Sequence, residues 1–133
     1  MRFVNDVTLQ HLCRVVTDDA VHYGYPVSDG TRLYLVEETY SPAKEQDGRL
    51  SFLAYGREVL PNQLQRCTAY LDENQVMLYE GDTVKFEAVY LGSVHEGIIV
   101  WQQDGFYIKY KGHDDEVHLT PLSSVRHIWK QIS

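Results

Sequence analysis

Short apolar runs with a period of two dominate the second half of the chain. In the run from Thr83 to Val89, Val84, Phe86 and Ala88 alternate with Thr83, Lys85 and Glu87, the pattern of a half-buried antiparallel strand. Phe106, Ile108 and Tyr110 alternate with Tyr107, Lys109 and Lys111 in the same way. This second run and Gly97–Gln102 flank Gln103-Asp104-Gly105, the strongest hairpin signal in the sequence, since Asp-Gly tolerates the positive φ of a tight turn. Beyond it, Gly112–Asp115 reads as a turn and Glu116–Leu119 as a short strand. Thr120–Val125 then reads as one helical turn opened by Pro121, and His127–Ile132 as a closing strand.

The first half is less regular. Leu9, Leu12, Cys13 and Val16 fall on one helical face behind Asp6, a residue suited to cap a first turn. Cys13–Val16 also reads as a strand running into a Thr17-Asp18-Asp19 turn, so a short N-terminal helix and a strand compete for this stretch. Val21–Val27 and Thr31–Glu37 form a hairpin around Ser28-Asp29-Gly30, with Pro26, which has no backbone donor, placing the first strand at a sheet edge. Tyr40–Gly48 has no apolar period and reads as an exposed loop, and Leu50–Tyr55 as a further short strand.

Between these halves lies Thr68–Val84. Asp72 and Asn74 mark a turn, because their side chains bond the local backbone and tolerate the left-handed region. In Glu80-Gly81-Asp82 the glycine supplies an angle barred to other residues and the Asp carboxylate satisfies loop amides. Val59, Pro61, Thr68, Asp72, Asn74, Leu78, Tyr79, Glu80, Gly81, Asp82 and Val84 together resemble the motif of the YopX family of phage and prophage proteins. The resemblance covers roughly residues 57 to 90, where the family tends to carry Val-x-Pro-x-Thr, Thr-Gly-Leu, Asp-x-Asn-Gly and Ile-Tyr-Glu-Gly-Asp-x-Val. This chain departs from it at Gln63, Arg66, Cys67, Ala69-Tyr70 and Gln75, with Ala69 and Gln75 standing at family glycines.

The resemblance implies a small SH3-like β-barrel over residues 57–133 behind a variable β-rich N-terminal region over residues 1–56; the length of 133 residues makes one compact unit the default. It also implies a phage context, action in the bacterial cytoplasm and no assigned activity. Taken alone, the residues predict a mostly β fold with about five strands in the C-terminal half; barrel closure comes from the resemblance.

Composition agrees with the class. The 133 residues are 44% hydrophobic and 23% charged, an ordinary globular balance, and ten tyrosines favour pleated faces. The formal charge of −7 comes with scattered Lys and Arg, so no basic stripe awaits phosphates and nucleic acid is a disfavoured partner. No run of about 18 apolar residues and no export-type N-terminus occurs, and no membrane association is expected. Cys13 and Cys67 lie far apart, which predicts reduced, half-buried thiols without a disulfide or a zinc knuckle.

No catalytic, cofactor-binding or metal-binding residue is assigned. Glu80 and Asp82 could split their pKa values as an acid/base pair, but Gly81 between them favours turn chemistry. His113, Asp114, Asp115, Glu116 and His118 are the densest set of metal-ligand types. On one strand, though, His113 and His118 would point to opposite faces, and a solvated acidic loop is favoured. Pro61, Thr68, Asp72, Asn74, Tyr79, Glu80, Gly81, Asp82 and Val84 are expected to be structural. Trp101, Tyr107 and Trp129 would anchor an interaction surface if they share an open face, with core cover as the competing role. The functional expectation is a non-enzymatic module that binds a protein partner or itself. A nucleic-acid module, which needs Arg57, Arg66, Lys109, Lys111, Arg126 and Lys130 to converge, is the alternative, and an enzyme with a site between the two regions comes third.

Overall fold

In a computed structural model, residues 1–37, 56–88 and 92–131 are described, and they are mostly β, with antiparallel strands and three short 3-10 turns. The predicted loop at Tyr40–Gly48 and strand at Leu50–Tyr55 lie outside the described residues. The chain divides into two compact units, residues 11–66 and residues 1–10 with 67–133.

The first unit is built on strands β2 (Cys13–Val16), β3 (Val21–Ser28), β4 (Leu33–Glu37) and β5 (Gly56–Val59). Cys13–Val16 settles as a strand because it pairs with β3 from Cys13↔Gly24 to Val16↔Val21, and Val15, 1% exposed, joins Cys13, Leu35 and Val59 in a small core. Only Val7–Gln10 keeps a helical turn, of the 3-10 kind, opened by Asp6, whose Oδ1 accepts from the Thr8 amide at 3.0 Å. Pro26 does not sit on an edge strand, since β3 pairs with β2 on one side and β4 on the other. It is tolerated because the β2 pairing ends at Gly24, two residues earlier. The boundary expected after residue 56 falls after Arg66 instead. Strand β5 pairs with β4 from Val59↔Leu33 to Gly56↔Val36, and Gln65 and Arg66 pair with Arg14 and Cys13.

In the second unit, β1 (Arg2–Phe3) and β7 (Met77–Tyr79) pair with the later part of β6 (Gln65–Leu71). A five-stranded antiparallel sheet follows, from β8 (Thr83–Ala88), β9 (Val94–Gln102), β10 (Gly105–Lys111), β11 (Val117–Pro121) and β12 (Val125–Lys130), in the order β11-β10-β9-β8-β12. The last strand follows the predicted single turn, a 3-10 turn at Leu122–Ser124, and pairs beside the first. Among the described residues no pairing joins β11 to β12, so the sheet is an open path rather than a closed barrel. Its inner face carries the core: Val84, Phe86, Ile99, Ile108 and Ile128 are each 0% exposed. Gly97 belongs to that face because a Cβ there would lie 2.6 Å from Ile108 Cγ2 and 2.7 Å from the Lys109 carbonyl oxygen.

The β9–β10 turn differs by one residue from its sequence signal. Gly105 pairs with Gln102, which leaves Gln103 (φ 51°) and Asp104 (φ 59°) as the central residues of the turn. That register sets Ile99 opposite Ile108 and Trp101 against Phe106 edge to face at 4.7 Å, so packing overrides the preference for glycine at the turn. Left-handed backbone costs a residue with a Cβ roughly 1 to 2 kcal/mol. Exposed Gln103 and Gln75 (φ 64°) both carry that cost. Gln75→Gly and Gln103→Gly are each expected to raise stability by about 1 kcal/mol. Equilibrium urea denaturation would show a higher midpoint at unchanged slope, and a lower midpoint for both would contradict the left-handed assignment.

Candidate interaction face

The motif residues between Thr68 and Val84 come together as a scaffold. In β6 the register jumps from Cys67↔Tyr79 to Leu71↔Met77, so Thr68, Ala69 and Tyr70 bulge opposite Leu78. The Thr68 hydroxyl donates to the Leu78 carbonyl at 2.8 Å and accepts from the Tyr70 amide at 3.0 Å, stitching the bulge closed. Ala69 takes φ 63° there, and its carbonyl accepts from the Val4 amide at 2.8 Å. The bulge hides β6 from a periodicity reading, because Cys67, Thr68 and Ala69 are buried in succession.

Asp72, 1% exposed, accepts three backbone hydrogen bonds: Oδ1 from Asn74 at 2.8 Å and Val76 at 2.9 Å, and Oδ2 from the Lys130 amide at 2.9 Å. Asp82 Oδ2 accepts from the Tyr79 amide at 2.8 Å, Oδ1 lies 3.5 Å from Lys130 Nζ, and Gly81 (φ 90°) makes the turn between. Lys130 is thus held by its backbone on Asp72 and by its ammonium on Asp82. Glu80 is half-buried beside this turn, and Asp82 takes the turn role expected of it by accepting the Tyr79 amide. Pro61 opens the 3-10 turn Pro61–Gln63 in the other unit, where Gln63 Oε1 accepts from the Leu60 amide at 2.8 Å.

His113 and His118 do not converge on a ligand. The His118 ring meets both Asp114 carboxylate oxygens at 3.0 Å and stacks on Tyr110, whereas His113 packs on His95 with ring centroids 5.0 Å apart. The His118 hydrogen bond, helped by the Glu116 amide, holds the Asp114 carboxyl below the usual carboxylate range. Among the described residues no group of three His, Cys, Asp or Glu side chains is placed to hold a metal ion.

The three aromatics do not share one face. Trp101 lies opposite Phe106 on the inner side, while Tyr107 and Trp129 alternate to the outer side, so the period of two separates them. Tyr107 on β10 and Trp129 on β12 have β9 and β8 between them. Lys109 and Lys111 on β10 are likewise parted from Arg126 and Lys130 on β12, and Lys130 turns to Asp82, so these cations form no stripe. No helix among the described residues is long and apolar enough to cross a membrane.

What the strands do gather is an apolar outer face. Pairing places Thr83, Ile98, Lys109 and Leu119 in one cross-strand row, Val100, Tyr107 and Pro121 in the next, and Lys111 beside Val117. Ile98, Leu119 and Val117 are 47%, 43% and 61% exposed. Ile98, Val100, Val117, Lys109, Lys111 and Glu96 line an open concavity of about 550 Å³ on this face. Glu96 is 4.0 Å from Lys85, and Lys111 is 3.6 Å from Asp115. Lys109 is exposed between Ile98 and Leu119, with no carboxylate within ion-pair distance among the described residues. The sequence shows the alternation of each strand, yet the sites singled out from it missed this face, because Ile98, Val117 and Leu119 become neighbours only through register.

No family model, curated protein or solved structure matches this chain.

Two measurements test the scaffold. Asp72→Ala leaves three backbone donors without their acceptor and is expected to cost roughly 3 kcal/mol or more, whereas Asn74→Ala, which keeps the amide, stays within about 0.5 kcal/mol; equal effects would remove the special role of the carboxylate. Both cysteines are buried rather than half-buried, and burial pushes the Cys67 thiol up, against weaker opposition from the Ala69 amide and the Tyr79 hydroxyl. The thiolate is the reactive form, so a disulfide reagent at pH 8 should titrate both thiols only after denaturation. Fast native labelling would contradict the packing.

Proposed function

We propose that this chain is a YopX-like phage or prophage accessory protein whose second unit works as a non-enzymatic protein-binding module, through the outer face of β9, β10 and β11. Two positions support the family reading. Ala69 and Gln75, which replace the glycines of the family pattern, have φ of 63° and 64°. The backbone asks for glycine at both sites where the family carries one.

The binding reading is carried by one observation, the exposed set Ile98, Val117 and Leu119 around Lys109 over an open concavity. An apolar patch with a polar rim is the usual mark of a protein interaction site, and covering three half-exposed aliphatic side chains contributes roughly 1 kcal/mol each. A lysine set among them, with no carboxylate in ion-pair reach among the described residues, fits a partner that brings apolar side chains together with an acidic one. Self-association through this face is less suited to the charges. An isologous contact would bring Lys109 toward its own copy in an apolar setting.

The test is an affinity capture from bacterial lysate, run with and without nuclease, comparing wild type, the face variant Ile98→Glu/Leu119→Glu and the control Glu58→Lys on exposed β5. A protein held by wild type and control, and reduced at least tenfold on the face variant, is expected. Partners retained equally by the face variant, partners lost with nuclease, or no protein that distinguishes the three baits would overturn the reading. A dimer of the wild type in light scattering that the face variant abolishes would replace it with self-assembly.

A further inference from the structure

Resting on the protein-binding reading of the same face, the geometry points to the form of the occupant: we infer that it is an extended segment of another protein, added as a strand beside β11. Strand β11 ends the sheet order, with β10 on one side and no strand paired on the other among the described residues. An outermost strand presents a row of backbone donors and acceptors, which only another extended chain can pair regularly. The row is short. Pro121 has no N–H to offer and the 3-10 turn at Leu122–Ser124 carries the chain out of strand geometry, which confines addition to Val117–Thr120.

Side chains set the pattern the segment must have. Val117 and Leu119 face outward at 61% and 43% exposure, while Thr120 is buried at 1%. An added strand alternates likewise, so its residues i and i+2 would cover Val117 and Leu119 and continue the rows that hold Lys111 and Ile98. Lys109 lies one strand inside β11, opposite Leu119. An added strand would lie two strand spacings from β10, roughly 9.5 Å, within the joint reach of a lysine and a glutamate side chain. The segment is therefore apolar at alternate positions and carries an Asp or Glu on the same face. A second copy pairing through β11 does not meet this requirement, because Val117-His118-Leu119-Thr120-Pro121 contains no carboxylate.

A random dodecapeptide display library selected on the whole protein tests this, with Lys109→Glu and Lys109→Ala as counter-baits of confirmed native fold and thermal midpoint. The expected binders alternate apolar residues with a period of two and carry Asp or Glu. They lose at least tenfold in affinity on Lys109→Glu and less on Lys109→Ala, and they slow amide exchange at Val117–Thr120. Binders that depend on the face but have helical spacing, or leave those amides unprotected, would overturn strand addition while the protein-binding reading stands. Enriched basic sequences would overturn the acidic requirement. If no enriched sequence distinguishes wild type from the Ile98→Glu/Leu119→Glu variant, both readings fall together.

Discussion

The second unit depends on the Asp72 carboxylate. Its oxygens, buried at 1% exposure, are cut off from water, and three backbone amides replace it as hydrogen-bond donors. Two of those donors shape its own turn and the third, from Lys130, fixes the end of β12. A further backbone bond from the Glu73 amide to the Ile128 carbonyl at 2.9 Å doubles the attachment. The closing strand therefore docks on a turn 58 residues earlier through a carboxylate whose loss would leave three backbone donors without their acceptor at once. Asp82 repeats the device on a smaller scale, holding the Tyr79 amide and the Lys130 ammonium.

With β12 fixed beside β8, the sheet has a committed inner face. Phe86 lies opposite Ile128, Ile99 opposite Ile108, and Gly97 lets β10 approach where any side chain would collide. The same register that seals this core decides what faces outward, since a strand cannot turn one side inward without exposing the other. Lys85, Lys109 and Lys111, three of the five lysines in the chain, lie on that outer side together with Ile98, Val117 and Leu119. Inner packing and the proposed binding surface are two sides of one pairing scheme.

Strain marks where packing prevailed over local preference. Ala69, Gln75, Gln103, Asp104 and Asp115 all hold positive φ without being glycine. At Ala69 the return is the bulge that lets Thr68 reach Leu78, and at Gln103 and Asp104 it is the register of Ile99 and Ile108. Asp115 sits in the turn closed by the Gly112 amide on the Glu116 carbonyl at 2.9 Å, its own amide bonding the Gly112 carbonyl at 3.1 Å.

The amino-acid pattern by itself determined the mostly β class, the strands around Phe86, Ile108 and Ile128, the turn residues Asp72, Gly81 and Asp82, and the hairpin between β9 and β10. These are local properties, carried by side-chain period and by residues that bond their own backbone. Tertiary structure alone decided the rest. The residue 66 boundary follows from β5 and Gln65-Arg66 pairing back into the first unit, and Cys13–Val16 became a strand because neighbours on both sides pair with it. Trp101 parted from Tyr107 and Trp129, and Ile98 met Lys109 and Leu119, because strand register sets which residues from distant segments share a row. Register is fixed by the whole core at once, so no window of sequence contains it.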